Sequence, residues 1–451
     1  MSNLPAGWAT VPIGELIALN PKNTAPDGVD AAFMPMNLLG KAYRERPTFQ
    51  VKPWGEIASS YVHFAEGDVL LAKITPCFEN GKAGIAVGLP SGIGAGSSEF
   101  FVCRPVDGAL LPQWLLAHFK TNEFLQVGAQ QMTGSVGHKR VPKGYLVGYE
   151  LQLPPYPEQK RIAGKLDKLL ARIDACRVRL DQVSNHAEQL KQSVLSAARS
   201  GALSAAWREA NPGGCAWQQT TLGEVARIGT GTTPLRSNPG FYAASGIAWI
   251  TSAATGLGTI SAASEYVTTA AVAAHRLKVY PPGTLLVAMY GEGKTRGQVA
   301  ELAISATVNQ ACAAIEVDES VMLRRFAMLM LQANYLAMRE LAEGGNQPNL
   351  NLAKVRGLGL PLPSLAEQAE ICRQAERLLA LARAMDKRVQ MANRQLQQMV
   401  GATLAKAFRG ELVPQDPADE PAQAMLDRLR AATRPRGAAA PKPRTRRATS
   451  A

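Results

Sequence analysis

The stretch that most suggests chemistry is AMYGEGKT at 288–295, where Gly-Lys-Thr follows an apolar run in the loosest form of a phosphate-cradling loop. Such a loop must open a helix whose N-terminus faces the phosphates. Here the continuation RGQVAELAIS is short and interrupted by glycine, and no apolar strand ending in a magnesium-binding aspartate follows. The plainer reading is a Gly-rich hairpin that presents Tyr290, Lys294 and Arg296. The histidines (63, 118, 138, 186 and 275) show neither H-x-x-x-H nor Cys/His ligand spacing, so no metal is expected. The cysteines (77, 103, 176, 215, 312 and 372) are scattered with no C-x-x-C pair, as in a reducing cytoplasm. No Ser/His/Asp set can be nominated. These residue types predict a chain without catalysis of its own.

NPGF at 238–241 resembles the Asn-Pro-Pro-Phe loop of adenine methyltransferases, but it lacks the second proline and any accompanying glycine-rich cofactor loop. At 451 residues the chain is too long for one core and should hold about two to four domains. Its composition, 46% hydrophobic and 19% charged, is that of an ordinary soluble globular protein. No apolar run approaches the roughly 20 residues of a membrane span, and MSNLPAGWATVPIGEL carries no secretory signal. Net charge is +13. Residues 1–150 balance to zero, and the surplus lies mainly in two later helical segments and a tail. A basic balance suggests a polyanion partner such as nucleic acid.

Any such partner must be met by elements that the sequence writes twice. LQLPPYPEQKRI at 151–162 returns as LPLPSLAEQAEI at 360–371, a shift of 209 residues that places Glu158-Gln159 on Glu367-Gln368. Without gaps, 17 of 56 positions are identical between 148–203 and 357–412, and Trp8, Gly14 and Glu15 map onto Trp217, Gly223 and Glu224. The chain is a tandem duplication, each copy a mixed α/β domain followed by a helical segment. The expected division is a first domain over 1–157, a helix over 158–203, a second domain over 204–363 with a short linker at 204–215, a second helix over 364–412, and a basic, disordered tail over 413–451.

The helical segments repeat apolar residues at 4-3 spacing. The first reads Ile162, Leu166, Leu169, Ile173, Cys176, Leu180, Val183, Ala187, Leu190 and Val194. The second reads Ile371, Ala375, Leu378, Ala382, Met385, Val389, Ala392, Leu396, Met399 and Thr403. That period marks a coiled-coil seam. Prolines stop the chain before each Glu-Gln, and Gly201 and Gly410 end the helices. Each helix would run roughly 65 Å. In the domains, GDVLLAKI (67–74) and GTLLVAMY (283–290) read as buried strands, and 111–126 and 324–341 as helices.

Two globular domains, each followed by a Pro-x-x-x-Glu-Gln signpost and a long helix, resemble the specificity subunit of a type I restriction–modification system. The resemblance covers about 1–412. It is carried by FMPMNLL (33–39), GDVLLAKITPCFENGKAGIA (67–86) and SSEFFVCRP (97–105), then GTGTTPLRSNPGFYAASGIAWITS (229–252), GEGKTRGQVA (291–300), ATVNQACAAI (306–315), GGNQPNLN (344–351), PSLAEQ and FRGELVP. Each motif is weak alone, and their order within a duplication is specific. The chain departs from the pattern in its longer basic tail and in TGSVGHKR (133–140), which stands where the second half has GGNQPNLN.

The resemblance implies an α/β (α+β) fold: two mixed α/β target recognition domains separated by two long helices in an antiparallel coiled coil, with pseudo-twofold internal duplication. It implies sequence-specific DNA binding without catalysis, each domain reading one half of a bipartite double-stranded target. It further implies two modification (methyltransferase) subunits and restriction (endonuclease/translocase) subunits as partners, in the cytoplasm. No cofactor would be bound by this chain; S-adenosylmethionine, ATP and magnesium would sit on the partners. A rod of roughly 65 Å spans on the order of 19 base pairs, which suits an unread gap. The rival reading is a non-catalytic coiled-coil scaffold that binds only protein. For DNA contact the candidates are Lys73, Asn80, Lys82, His138, Lys139 and Arg140 in the first domain. In the second they are Thr232, Arg236, Tyr290, Lys294, Arg296, Gln347 and Asn349. For the helical interface they are Ile162, Leu166, Leu169, Ile173, Leu180, Leu190, Ile371, Leu378, Val389 and Leu396.

Overall fold

The fold is described from a computed structural model, which describes residues 4–135, 137–212, 216–291, 294–343 and 349–433, the side chains of 341–343 and 433 aside. The chain divides into two compact units, one built from residues up to 179 and from 392 onward, the other from 180–391. In the first unit the strands Ile17–Leu19, Phe100–Pro105, Val69–Ala72 and Ala83–Ile85 form one sheet in that order. A second sheet runs Gln50–Pro53, Asp30–Met34, Ile93–Gly96 and Val62–Ala65. Ala9–Pro12 pairs antiparallel with Glu150–Leu153 and so ties the start of the domain to its end.

The second unit repeats this plan. Ala226–Thr230, Cys312–Val317, Leu285–Ala288 and Val299–Leu302 follow the order of the first sheet, with Thr259–Ile260 added at the edge. The parallel pair Asp30–Met34 with Ile93–Gly96 has its counterpart in Ile247–Ile250 with Ala306–Val308. Gln218–Thr221 pairs with Gly359–Leu362 as the closing strands do in the first unit. The apolar runs at 69–72 and 285–288 are fully buried, as unbroken β-branched and Leu-rich stretches should be.

Two expected helices are each split in two. Residues 111–126 form Pro112–Phe119 and Asn122–Gln130, because Thr121 caps the second piece by accepting from the Phe124 amide at 3.2 Å. Residues 324–341 form Arg324–Ala333 and Tyr335–Glu343. At the break the buried Asn334 amide donates to the Met330 carbonyl at 2.9 Å, the local side-chain bond that competes with a continuous helix.

The long helices are α1, Tyr156–Ser200, and α2, Leu365–Phe408. Their heads are fixed alike. The buried Gln159 amide donates to Ala109 and Pro154 carbonyls (2.8 and 3.1 Å) and accepts from the Leu111 amide at 2.8 Å. Gln368 does the same with the Val321 and Pro363 carbonyls (3.1 and 2.9 Å) and the Leu323 amide at 2.7 Å. The repeated Glu-Gln is therefore a joint that locks each helix to the domain before it. At the other ends Gly201 and Gly410 take positive φ. A Cβ there would meet the Trp217 ring at 2.7 Å and Pro5 at 2.6 Å.

In the first unit Ile162 and Leu166 share a core with Leu404 and Ala407. In the second, Val194 and Ala198 share one with Ile371, Cys372 and Ala375, and Lys191 pairs with Asp386 at 2.6 Å. Within each unit the beginning of one long helix lies with the end of the other, which is antiparallel pairing. The 4-3 seam differs from expectation at several places: Cys176 is exposed, and Met399 is 53% exposed. Leu170 is buried where Leu169 is only half-buried, and burial continues past Leu396 through Val400, Leu404 and Ala407. There the helices pack on a domain core, where the relaxed 3.6-residue period replaces the 3.5-residue period of a helix pair.

The expectation of disorder from 413 fails for 413–433. Ala422–Thr433 forms helix α3, whose Ala422, Met425 and Leu426 are buried in the first unit's core. The Ala422 amide donates to the Gly7 carbonyl at 2.8 Å, Arg161 pairs with Asp419 at 2.6 Å, and Arg430 with Glu15 at 2.8 Å. The apolar spacing of 422, 425, 426 and 429 is that of one helical face inside a Pro- and Arg-rich composition. Residues 434–451 lie outside the described residues.

Two joints carry opposite electrostatics. Glu158 accepts from the Trp8 indole at 3.0 Å, and burial pushes its carboxyl up, with Trp8 and Arg161 only partly offsetting this. Burial also acts on Glu367, but hydrogen bonds from Ser204 (2.7 Å) and Arg208 (2.5 Å) outweigh it and leave the carboxyl below its ordinary value. A depressed carboxyl contributes stability above the ordinary carboxylate range and loses it as pH falls through the folded value; a raised one ionises at a cost as pH rises. We therefore expect Glu367→Gln to cost the second unit about 1–3 kcal/mol at neutral pH and to flatten its loss of stability in acid. Glu158→Gln, which keeps the acceptor for Trp8, should leave the first unit as stable or more so. Hydrogen exchange read unit by unit at acid and neutral pH measures both, and equal effects at the two joints would contradict the assignment.

Lys120 staples the loops of the first domain. Its ammonium donates to the carbonyls of Lys41, Gly81 and Ala83 at 2.8, 2.6 and 2.7 Å, and burial pushes its pKa down to about 7, opposed by Glu45. Lys120→Met should strand these acceptors, cost about 1–3 kcal/mol and speed amide exchange across 73–83, leaving the second unit unchanged. Unaltered exchange in that loop would show that the staple is dispensable.

Candidate nucleic-acid interface

In the first domain the loop 73–82 connects two adjacent strands, and the segment 133–140 folds back beside it. Arg140 bridges to both Ile74 and Thr133, and the Thr75 amide donates to the Lys139 carbonyl at 2.9 Å. This brings Lys73, His138, Lys139 and Arg140 together. The Arg140 guanidinium grips Glu99 through Nε (2.9 Å) and Nη2 (2.7 Å), and its Nη1 donates to the His138 carbonyl at 3.2 Å. The Lys73 ammonium stands over the Phe101 ring, 5.6 Å from its centroid. Arg140, then Lys73 and His138, hold the Glu99 carboxyl below the ordinary range. His138 and Lys139 are exposed.

The other two candidates of this domain lie at the far end of the loop. Asn80 is exposed, whereas Lys82 donates to the Met36 carbonyl at 2.8 Å and so holds the loop in shape.

In the second domain the candidates fall into two neighbouring groups. Thr232 is exposed, and its carbonyl accepts from the Trp249 indole at 3.3 Å. Arg236 lies over the rings of Tyr242 and Trp249, 4.7 and 5.0 Å from their centroids, and pairs with Glu265 through both terminal nitrogens. The Tyr242 hydroxyl donates to the Pro234 carbonyl at 2.7 Å, which pins the same loop. Gly231 is required here, because a Cβ would stand 1.6 Å from the Val308 carbonyl oxygen.

The second group is the hairpin after Leu285–Ala288, whose return strand Val299–Leu302 runs antiparallel. AMYGEGKT thus lies between two antiparallel strands and opens no helix among the described residues; residues 292 and 293 lie outside them. Tyr290 is 37% exposed and Lys294 is exposed, with the Lys294 carbonyl accepting from the Tyr335 hydroxyl at 2.9 Å. Arg296 is half-buried, and its buried Nε has no hydrogen-bond partner among the described residues. The Leu350 amide donates to the Met289 carbonyl at 3.1 Å, which sets Asn349 beside this turn. Gln347 lies outside the described residues. Between the two groups runs 309–311: Thr233 donates to the Gln310 side chain at 2.6 Å, and the Met289 amide to the Ala311 carbonyl at 2.7 Å.

Sequence reasoning missed the carboxylates at these loops, Glu99 and Glu265, and the aromatic floor Trp249 and Tyr242 under Arg236. The only available signal was the aromatic content of GFYAASGIAWITS. Of the helical candidates, Ile162, Leu166, Ile173, Ile371 and Val389 are buried, and Leu169, Leu180, Leu190, Leu378 and Leu396 are half-buried. Among the described residues no group of three or more His, Cys, Asp or Glu could hold a metal ion, and no helix is long and apolar enough to cross a membrane. Exposed arginine, lysine and amide groups over aromatic rings can contact phosphates, base edges and base faces.

Residues 216–388 match the family model described as type I restriction modification DNA specificity domain. The specificity subunit of the type I restriction enzyme EcoEI from Escherichia coli is 41% identical over 168 residues, 37% of this chain and 28% of that protein. The EcoAI specificity subunit of Escherichia coli is 40% identical over 38% of this chain and 29% of its own length. These matches span less than a third of either relative. The StySPI specificity subunit of Salmonella potsdam is 24% identical over 95% of this chain and 96% of its own length. Among solved structures, a chain from work on complex assembly and conformational transition of the type I R-M system superposes with a TM-score of 0.73 at 21% identity, covering 91% of this chain and all of that one. The HsdS subunit from Thermoanaerobacter tengcongensis gives 0.51 at 20% identity, covering 90% and 98%. These likenesses show the same fold. Its second unit thus matches a DNA specificity domain, and its whole length is similar to a type I restriction enzyme specificity subunit.

Proposed function

We propose that this chain is the sequence-reading subunit of a type I restriction–modification complex in the cytoplasm, each domain reading one half of a bipartite double-stranded target. The observation that carries this reading is the placement, in each unit, of basic and amide side chains on the turn between two adjacent strands and on the segments beside it. The chain would perform no chemistry. Two modification subunits would methylate the target, restriction subunits would cleave, and S-adenosylmethionine, ATP and magnesium would be bound by those partners. Val178, Leu381, Met391 and Met399, each more than half exposed on the long helices, suit docking by partner subunits. A protein-only scaffold would leave the paired reading loops without a role.

Three expected outcomes follow from this reading. Replacing residues 1–150 with the matching domain of a relative should change one half-site in methylation mapping and leave the other untouched. Inserting residues around 211–215, beyond the Ser204 and Arg208 contacts to Glu367, should alter only the unread gap. Alanine at Arg236, Lys294 or Asn349 should either relax one target position at a cost of about 1–3 kcal/mol, if the residue reads a base, or weaken all sequences alike, if it holds a phosphate. A folded, active chimera with both half-sites changed would overturn independent reading. A complex whose DNA binding ignored salt would overturn the nucleic-acid reading itself.

A further inference from the structure

In both units the arginine of a reading loop is already occupied by a carboxylate. Arg140 has Nε and Nη2 on Glu99 and Nη1 on the His138 carbonyl, so each of its three nitrogens makes a hydrogen bond. Arg236 holds Glu265 with both terminal nitrogens while its face rests on Tyr242 and Trp249. The two glutamates come from different elements. Glu99 lies in the turn between Ile93–Gly96 and Phe100–Pro105, and Glu265 opens the strand Glu265–Val267. The same pairing has thus been reached by two routes within one duplicated chain. Neither pair is a core interaction: the arginine side chains are 46% and 56% exposed, in the range where an ion pair adds little to stability.

We propose that Glu99 and Glu265 act as intramolecular stand-ins for a DNA phosphate and keep Arg140 and Arg236 from adding affinity for DNA of any sequence. A carboxylate presents two acceptor oxygens and a negative charge to a guanidinium fork, as a phosphate does. A backbone phosphate that takes Arg140 from Glu99 exchanges one such contact for another and brings its own charge against the freed carboxylate. Glu99 also lies beside Lys73 and His138, so one carboxylate faces three of the side chains nominated for DNA contact in the first domain. Non-specific binding draws on counterion release by free cations; each guard removes one. A target duplex, held in register by base-edge contacts of the neighbouring side chains, presents acceptors in place and can draw the arginine across.

This inference rests on the DNA-reading function proposed above, and its test separates the two. The full chain, assembled with its modification subunits, is titrated with a duplex carrying the target mapped from methylated host DNA and with a mixed-sequence duplex lacking it, across a range of salt. Glu99→Gln should bind the mixed-sequence duplex about three- to tenfold more tightly at low salt, with a log–log salt slope steeper by about one contact. Its affinity for the target should change less, so the ratio between the two falls. Glu265→Gln should do the same through the second domain. Glu99→Asp, which keeps the charge, should stay close to wild type, and adding Arg140→Ala to Glu99→Gln should cancel the gain. Wild-type slopes in both glutamine variants would overturn the inference, as would loss of target affinity alone, which would make Glu99 a base reader. If the wild-type complex itself does not distinguish the two duplexes, the DNA-reading function falls with it.

Discussion

Everything above the level of a single domain depends on one buried amide at the head of each long helix. Gln159 and Gln368 each satisfy two backbone carbonyls and one backbone N–H that the loop before the helix would otherwise bury unpaired. A primary amide is the side chain that can supply two donors and an acceptor in one plane. Because the amide sits in the first turn, the direction in which the helix leaves its domain is set by hydrogen bonds rather than by apolar contact alone. Apolar contact tolerates sliding; three directed bonds do not.

The glutamate next to each amide shows that duplication preserves geometry better than chemistry. Glu367 has acquired Ser204 and Arg208 as partners, while Glu158 has the Trp8 indole and a neighbouring Asp419. The residues that differ lie after each helix, in stretches that share little beyond the terminal glycine and leucine. One joint is a charge-assisted contact and the other a carboxyl held against its preference for water.

The features visible in the sequence were those repeated or periodic along it. The 209-residue shift, the two long helices and the hairpin nature of AMYGEGKT follow from spacing, turn chemistry and the absence of a following helix. The breaks at Thr121 and Asn334 were hidden because one side chain decides each against a favourable apolar pattern. Helix α3 was hidden because composition averages over a window wider than its 12 residues. The exposure of Met399 reflects a change of packing partner partway along a helix, which no single period describes. The guard carboxylates were least legible, since Glu99 and Arg140 are 41 positions apart and nothing local links them.

The first unit is assembled from segments made before and after the second. Leu404, Ala407, Ala422, Met425 and Leu426 complete a core begun by Trp8, Val11 and Ile13, whereas residues 180–391 contribute the whole of the second unit. On the ribosome, then, the domain made first is the one finished last. Its apolar surface must wait, uncovered or chaperoned, while the later domain emerges and closes around its own continuous stretch of chain.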